Sequence, residues 1–285
     1  MSVSKKFACG LLAAGAPLAS AGALALASTS SAATHAGALP VLTVTMNGKS
    51  ITVSGNVASG AVDVHSVVSG EKQGNVVLVR LNQGVTQAQI IKALAAASKD
   101  PNAAQLVGAI AFNSRTPKGH PTDVQTVLQP AKRYLALDVG GKGKPRLTQF
   151  TVSPAAKPAT LPAAASTTKA IEFGFRGSTT LKNGTMTRGI NDGWLVHMND
   201  FLGAKSKSDA KKLAAGLKAG KSMKKLRKYL TRSFFEVFGP VSHGAVQQFV
   251  LQTKPGYYVE ACFMTTQDRR VHTVLGMERV VKVVK

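Results

Sequence analysis

Near the C-terminal end, Cys262, His272 and Met277 put a thiol, an imidazole and a thioether on one short segment, in the pattern Cys-x9-His-x4-Met. These are soft or borderline donors. Such groups select copper and similar ions rather than the hard cations that prefer carboxylates and water. Two imidazoles and one thiolate in a plane, with a long axial thioether, make a mononuclear copper centre of the electron-transfer kind. A second imidazole must then come from upstream. His197, in Trp194-Leu195-Val196-His197-Met198, follows the turn signal Asn191-Asp192-Gly193 within an apolar run and is the candidate. Each donor also has a plainer reading: Cys262 as an inert buried thiol, His197 as a satisfied strand histidine, Met277 as ordinary core. His65, His120, His243 and Met198 read as structural or exposed. The other cysteine, Cys9, lies in the N-terminal leader, so Cys262 has no intramolecular disulfide partner once the leader is removed.

The segments that must position these donors read as β structure. Residues 257–263 read as a strand, with Cys262 ending its 257–261 run, and 280–284 is the closing strand after the ligand segment. Further strands are expected at 41–46, 50–57, 76–81, 124–128, 134–139, 171–176, 186–190, 194–198 and 246–251. Asn47-Gly48, Lys182-Asn183-Gly184, Asn191-Asp192-Gly193 and Lys254-Pro255-Gly256 supply turns between them. Helices are expected at 86–98 and 208–229, the second with Ser208 as N-cap, a break near Gly220 and a face of lysines.

Residues 152–168 are rich in Pro, Ala and Thr and read as a linker between 38–151 and 169–285. The two halves look like a degenerate repeat. Gly119-His120, residues 124–130 and residues 134–138 in the first answer His243-Gly244, residues 246–252 and residues 255–262 in the second, in the same order. The expectation is an all-β protein of two tandem Greek-key sandwiches, each with a helical insertion.

The Cys-x9-His-x4-Met segment, with Gly276 before Met277, resembles the ligand loop of the cupredoxins. It is most similar to the long version in the type 1 copper domain of copper nitrite reductases. Lys254-Pro255-Gly256-Tyr257-Tyr258 resembles the approach to the cysteine strand in plastocyanin-like domains. The resemblance implies one copper ion held by His197, Cys262, His272 and Met277 in the second half. It departs from the family in a loop one residue longer than expected and in the long basic helix. In the first half, Asp138 stands near the place of Cys262, and 140–149 contain neither His nor Met, so that half is expected to hold no copper. In the enzymes of this family a His beside the ligand Cys leads to a catalytic copper. Here the neighbours are Ala261 and Phe263, which points to a carrier rather than a catalyst.

Lys5 and Lys6, the apolar run 7–27 and small-residue sites such as Ala25-Leu26-Ala27 read as a secretory signal within 1–36. No other stretch is long enough to span a bilayer, so the processed chain is expected outside the cytoplasm, secreted or envelope-associated. The net charge of +23 implies attraction to anions: an acidic redox partner protein, anionic envelope polymers or lipid headgroups. No nucleic-acid motif is present, and export argues against that role. Gly140-Gly141-Lys142-Gly143 lacks P-loop spacing and reads as a turn. The expected function is one-electron transfer or copper carriage. The alternative is a binding module without redox chemistry, attached through its basic surface.

Overall fold

A computed structural model describes residues 38–55, 57–97, 100–140 and 145–285. The segment 1–36 read as a secretory leader, with Cys9, and most of the expected 140–143 turn lie outside the described residues. In the first half the strands are β1 (Val41–Met46), β2 (Ile51–Gly55), β3 (Gly60–Val68), β4 (Gln73–Leu81), β5 (Gly108–Pro117), β6 (Thr122–Leu128), β7 (Ala131–Asp138) and β8 (Arg146–Val152). In the second they are β9 (Ser166–Ile171), β10 (Gly174–Gly177), β11 (Thr180–Lys182), β12 (Met186–Asn191), β13 (His197–Ala204), β14 (Leu230–Val241), β15 (Val246–Val250), β16 (Gly256–Ala261) and β17 (Glu278–Val284).

The chain is all-β in its core and duplicated in its topology. A four-stranded sheet runs β5-β4-β7-β8, and its counterpart runs β14-β13-β16-β17 with β11 added at the edge. The remaining strands form one eight-stranded sheet, β10-β9-β12-β15-β6-β3-β1-β2. Its two ends read the same outward from the centre. β1 lies parallel to β3 and antiparallel to β2, as β9 lies parallel to β12 and antiparallel to β10. The halves join where β15 pairs antiparallel with β6, Gln247 opposite Thr126 and Gln248 opposite Gln125. Those pairs fall in the blocks that the sequence repeat had matched. The join leaves no sheet edge exposed at the centre, and it is reinforced by Asn113, whose N–H donates to Gln247 Oε1 at 2.8 Å.

Alternation along the strands explains the layers. In β1 the pattern Leu42, Val44, Met46 faces inward while Thr43 and Thr45 face out. Leu42, Val44, Met46, Val62, Val64, Leu78, Phe112 and Tyr134 fill the space between the sheets of the first half. In the second half β13 is buried along its whole length, because α2 (Lys207–Lys218) and the short turn after it cover its outer face: Leu213 and Leu217 of α2, with Leu226 beyond it, pack on Leu202, Val259 and Ala261. α1 (Gln87–Ala97) sits equivalently between β4 and β5. Its start is a capping box, Thr86 N–H to Gln89 Oε1 at 2.8 Å and Gln89 N–H to Thr86 Oγ1 at 3.3 Å.

Three local expectations change. The α2 N-cap is Ser206, not Ser208: its Oγ accepts Asp209 N–H at 3.0 Å. The helix does break at Gly220, which takes φ +65°, before α3 (Met223–Leu226). The run 171–176 is not one strand but a hairpin, β9 and β10 joined through Glu172 and Phe173. The strand expected at 194–198 begins only at His197. Among the described residues, no helix is long and apolar enough to cross a membrane.

Candidate metal centre

His197 enters its strand from a turn that is tightly held. Asn191 is fully buried; its Oδ1 accepts Gly193 N–H at 3.0 Å, and its Nδ2 donates to the carbonyls of Leu195 at 2.9 Å and Val241 at 2.8 Å. Val196 N–H, one residue before the histidine, donates to Asn102 Oδ1 at 2.9 Å. Asn102 belongs to the 3-10 turn Pro101–Leu106 of the first half. Its Nδ2 also reaches the Thr265 carbonyl at 3.4 Å. One side chain from the first half thus ties together the approach to His197 and the loop after Cys262.

The ligand loop is closed by its own backbone. Cys262 follows the last residue of β16, and its N–H donates to Met277 O at 3.2 Å. His272 opens a 3-10 turn, His272–Leu275, and Met277 N–H returns to His272 O at 3.0 Å. Gly276 carries φ +106°, a conformation that disfavours any side chain, so the spacing from His to Met needs glycine at this point. His272 N–H to Met264 O at 2.8 Å folds the loop back over Cys262.

These elements bring three donors to one place. The ligand atoms of His197, Cys262 and His272 lie within 4.8 Å of one another, the one such cluster found among the described residues. The two Nδ1 atoms are 3.1 Å apart, and Cys262 Sγ is 3.8 Å from His197 Nδ1 and 3.4 Å from His272 Nδ1. A triangle with those sides has its equidistant point about 2.0 Å from each corner, close to ordinary metal–nitrogen distances and slightly short of metal–sulfur ones. All three side chains are inaccessible to solvent. The Met198 N–H donates to Sγ at 3.4 Å, which helps to fix the sulfur. Met277 is buried in the same core as Cys262.

Burial sets the protonation of the site. It pushes the His197 pKa down to about 4, against the pull of Glu172. It does the same to His272, also to about 4, helped by His197. It pushes the Cys262 thiol up to about 12, although N–H groups of Met198 and Met264 partly compensate. The resting state is therefore two neutral imidazoles and a thiol. Both Nε2 atoms are buried without a hydrogen-bond partner. Two imidazole Nδ1 lone pairs and a sulfur converging at these distances form a site that a soft cation satisfies and a water-sized polar molecule does not. The residues present fit a copper ion.

No family model matches the chain, and no curated protein matches it. Solved structures to which it is similar include auracyanin A, described as a "blue" copper protein from Chloroflexus aurantiacus, at 17% identity over 41% of this chain and 96% of that one, TM-score 0.24. A copper-containing nitrite reductase from Thermus scotoductus matches at 11% identity over 86% of this chain and 67% of that one, TM-score 0.24. The multicopper oxidase McoA from Aquifex aeolicus matches at 8% identity over 87% and 66%, TM-score 0.26. These are proteins of the cupredoxin kind to which the ligand loop was likened. Nothing about the site follows from scores this low.

Among the described residues, the structure places the remaining histidines elsewhere. His65 Nδ1 lies 2.6 Å from Asp123 Oδ1, and His120 is exposed. His243 stacks on Trp194, ring centroids 4.8 Å apart, and its Nδ1 meets Gly193 O at 3.1 Å. Sequence reasoning missed Asn102, which is remote in the chain. It also missed Glu172 and Phe173, hidden in what reads as an uninterrupted strand. Phe173 takes φ +56°, unusual for a bulky residue, and sets its ring edge-on to His272, centroids 5.3 Å apart at 82°.

Proposed function

We propose that this chain is an exported one-electron carrier, or a copper carrier, in which His197, Cys262, His272 and Met277 would hold one type 1 copper ion. The observation that carries the reading is the triangle of donor atoms, whose equidistant point lies about 2.0 Å from each. When bound, the copper supplies the reversible one-electron step. The chain's own groups would do the rest: Cys262 would give a covalent path into β16, the imidazoles of His197 and His272 would complete the donor set, and the buried walls exclude water.

Catalysis is not part of the proposal. Ala261 and Phe263 flank Cys262, so no neighbouring imidazole links the site to a second metal. We take 38–151 and 169–285 as the two sandwiches and 152–168 as their connection. Partners are expected to be anionic. Between 205 and 232 the exposed lysines and arginines are opposed by Asp209 alone, and α2 packs against the 3-10 turn that contains His272. An acidic redox protein fits this face, as do anionic envelope polymers or lipid headgroups.

The test is direct. Purified processed protein should take up one Cu(II) per chain and become intensely coloured, with Cys262→Ser colourless. A colourless wild type that binds no copper, yet binds anionic polymer in a salt-sensitive way, would replace this reading with that of a binding module.

A further inference from the structure

The two-residue turn between β9 and β10 lies against both imidazoles. Glu172 Oε1 accepts the N–H of Leu195 at 3.1 Å and that of Trp194, in the segment that leads into His197. The same oxygen is 3.7 Å from His197 Nε2. With Nδ1 turned toward Cys262 and His272, Nε2 is the ring atom left to carry the hydrogen, and the Glu172 carboxylate is what faces it.

This approach is built rather than incidental. A Cβ on Gly193 would lie 2.6 Å from His197 Nε2 and 2.7 Å from Glu172 Oε1, so any side chain there would wedge the two apart. The turn itself is clamped. Arg279 Nη2 donates to the carbonyls of Arg176 at 3.2 Å and Ser178 at 3.0 Å, which holds β10 against β17. Phe173, across the turn, covers His272. Burial works against the charge on Glu172, but the Leu195 and Trp194 N–H groups outweigh it and keep the carboxyl below its ordinary range.

We infer that Glu172 is a positioning residue for the metal: it anchors the Trp194-Leu195 approach to His197 through two backbone N–H groups and sets a negative charge 3.7 Å behind Nε2 of that ligand. The inference rests on the copper reading above. Outer partners of this kind are worth roughly 10–100-fold in metal affinity, because they raise the basicity of the ligand they face. A negative charge behind the ring also favours the more highly charged state of the ion, so it holds the reduction potential down.

Glu172→Gln keeps the shape and can still accept both N–H groups through its amide oxygen. Two probes apply: Zn(II), which is redox-inert, and copper. Zn(II) affinity should fall about tenfold or more, with the metal-free protein melting where the wild type does. The copper potential should rise by about 59 mV for each tenfold loss of preference for Cu(II) over Cu(I). Gly193→Ala separates the same two groups with both residues present and should shift both readouts in the same direction; it decides the matter where the Gln variant does not fold. A coloured, copper-loaded wild type together with variants of unchanged zinc affinity and potential would overturn the inference and leave the copper reading intact. A wild type that takes up neither metal would overturn both.

Discussion

Metal uptake by this site should release one proton per ion, all of it from Cys262. In the metal-free protein the thiol is pushed up to about 12 and the two imidazoles down to about 4, all by burial. Ligation requires a thiolate and two neutral imidazoles. At pH 7 the imidazoles are already in the binding form and the thiol is not. The apparent dissociation constant should therefore fall tenfold per pH unit from roughly pH 5 to 11, a hundredfold between pH 6 and 8. Raising the thiol from 9.0 to about 12 adds roughly 4 kcal/mol that the metal–sulfur bond must overcome, so the metal-free site is protected from stray oxidation at a cost in affinity.

Zn(II) is the better probe, because it cannot oxidise the thiol. Calorimetric titrations in buffers of different ionisation enthalpy count the protons, and chelator competition at pH 6, 7 and 8 gives the slope. A count near zero would mean that Cys262 either does not ligate or is already ionised. A count near two would mean that an imidazole is protonated at neutral pH. Either result refutes the reasoning. Cys262→Ser should bring the count to zero and weaken binding.

The metal-free protein should lose stability as pH falls. His197 and His272 take up protons near their ordinary value of 6.5 when unfolded but only near 4 when folded. Stability is thus flat above about 6.5, declines between 6.5 and 4 by up to about 3 kcal/mol per histidine, and levels below; denaturant midpoints at pH 7.5 and 4.5 read it, with His272→Gln reducing the drop. Phe173→Gly removes the cover from His272 while relieving a positive φ, so thermal stability should change by no more than about 1 kcal/mol while chelator-driven metal release becomes several-fold faster. Asn102→Ala leaves the Val196 N–H without its partner and should cost about 1–2 kcal/mol of stability, with weaker Zn(II) binding although no ligand is touched.

What the sequence made legible follows from where information is local. Cys262, His272 and Met277 are readable because one loop carries them, and Gly276 marks its tight return. His197 was reachable through the Asn191-Asp192-Gly193 turn, but the strand was placed too early, since Trp194, Leu195 and Val196 look like β residues while their N–H groups go to Glu172 and Asn102. The β9–β10 turn gave no signal: Glu-Phe is not a turn dipeptide, and only tertiary packing on His272 accounts for Phe173 at φ +56°. β3 was missed although its alternation is plain in the burial pattern; β14 carries Gly239 and Pro240, which read as breakers but sit near its end. Asn102 acts across the two halves, beyond any local pattern.

The duplication shows what the metal centre replaces. β7 and β16 occupy equivalent places in their sheets, and the buried tyrosines Tyr134 and Tyr258, each donating its hydroxyl to a carbonyl a few residues upstream, align them so that Asp138 stands where Cys262 does. In the first half the Asp138 carboxylate accepts Asn75 N–H at 3.1 Å and Gly140 N–H at 2.9 Å and pairs with Arg146, which also meets Glu71 at 2.7 Å and the Gly48 carbonyl at 2.6 Å. That end of the sandwich is closed by hard, charged groups paired with one another. In the second half the same end is closed by two imidazoles and a thiol. Whichever ring nitrogens carry the hydrogens, this trio cannot satisfy all its buried polar atoms internally: Nε2 is orphaned on both rings, and two Nδ1 atoms face each other at 3.1 Å. One fold thus supports two closures, an ion-pair clasp of opposite charges and a set of soft donors suited to a cation, and the difference between them lies in the few side chains at the strand ends and the loop that follows.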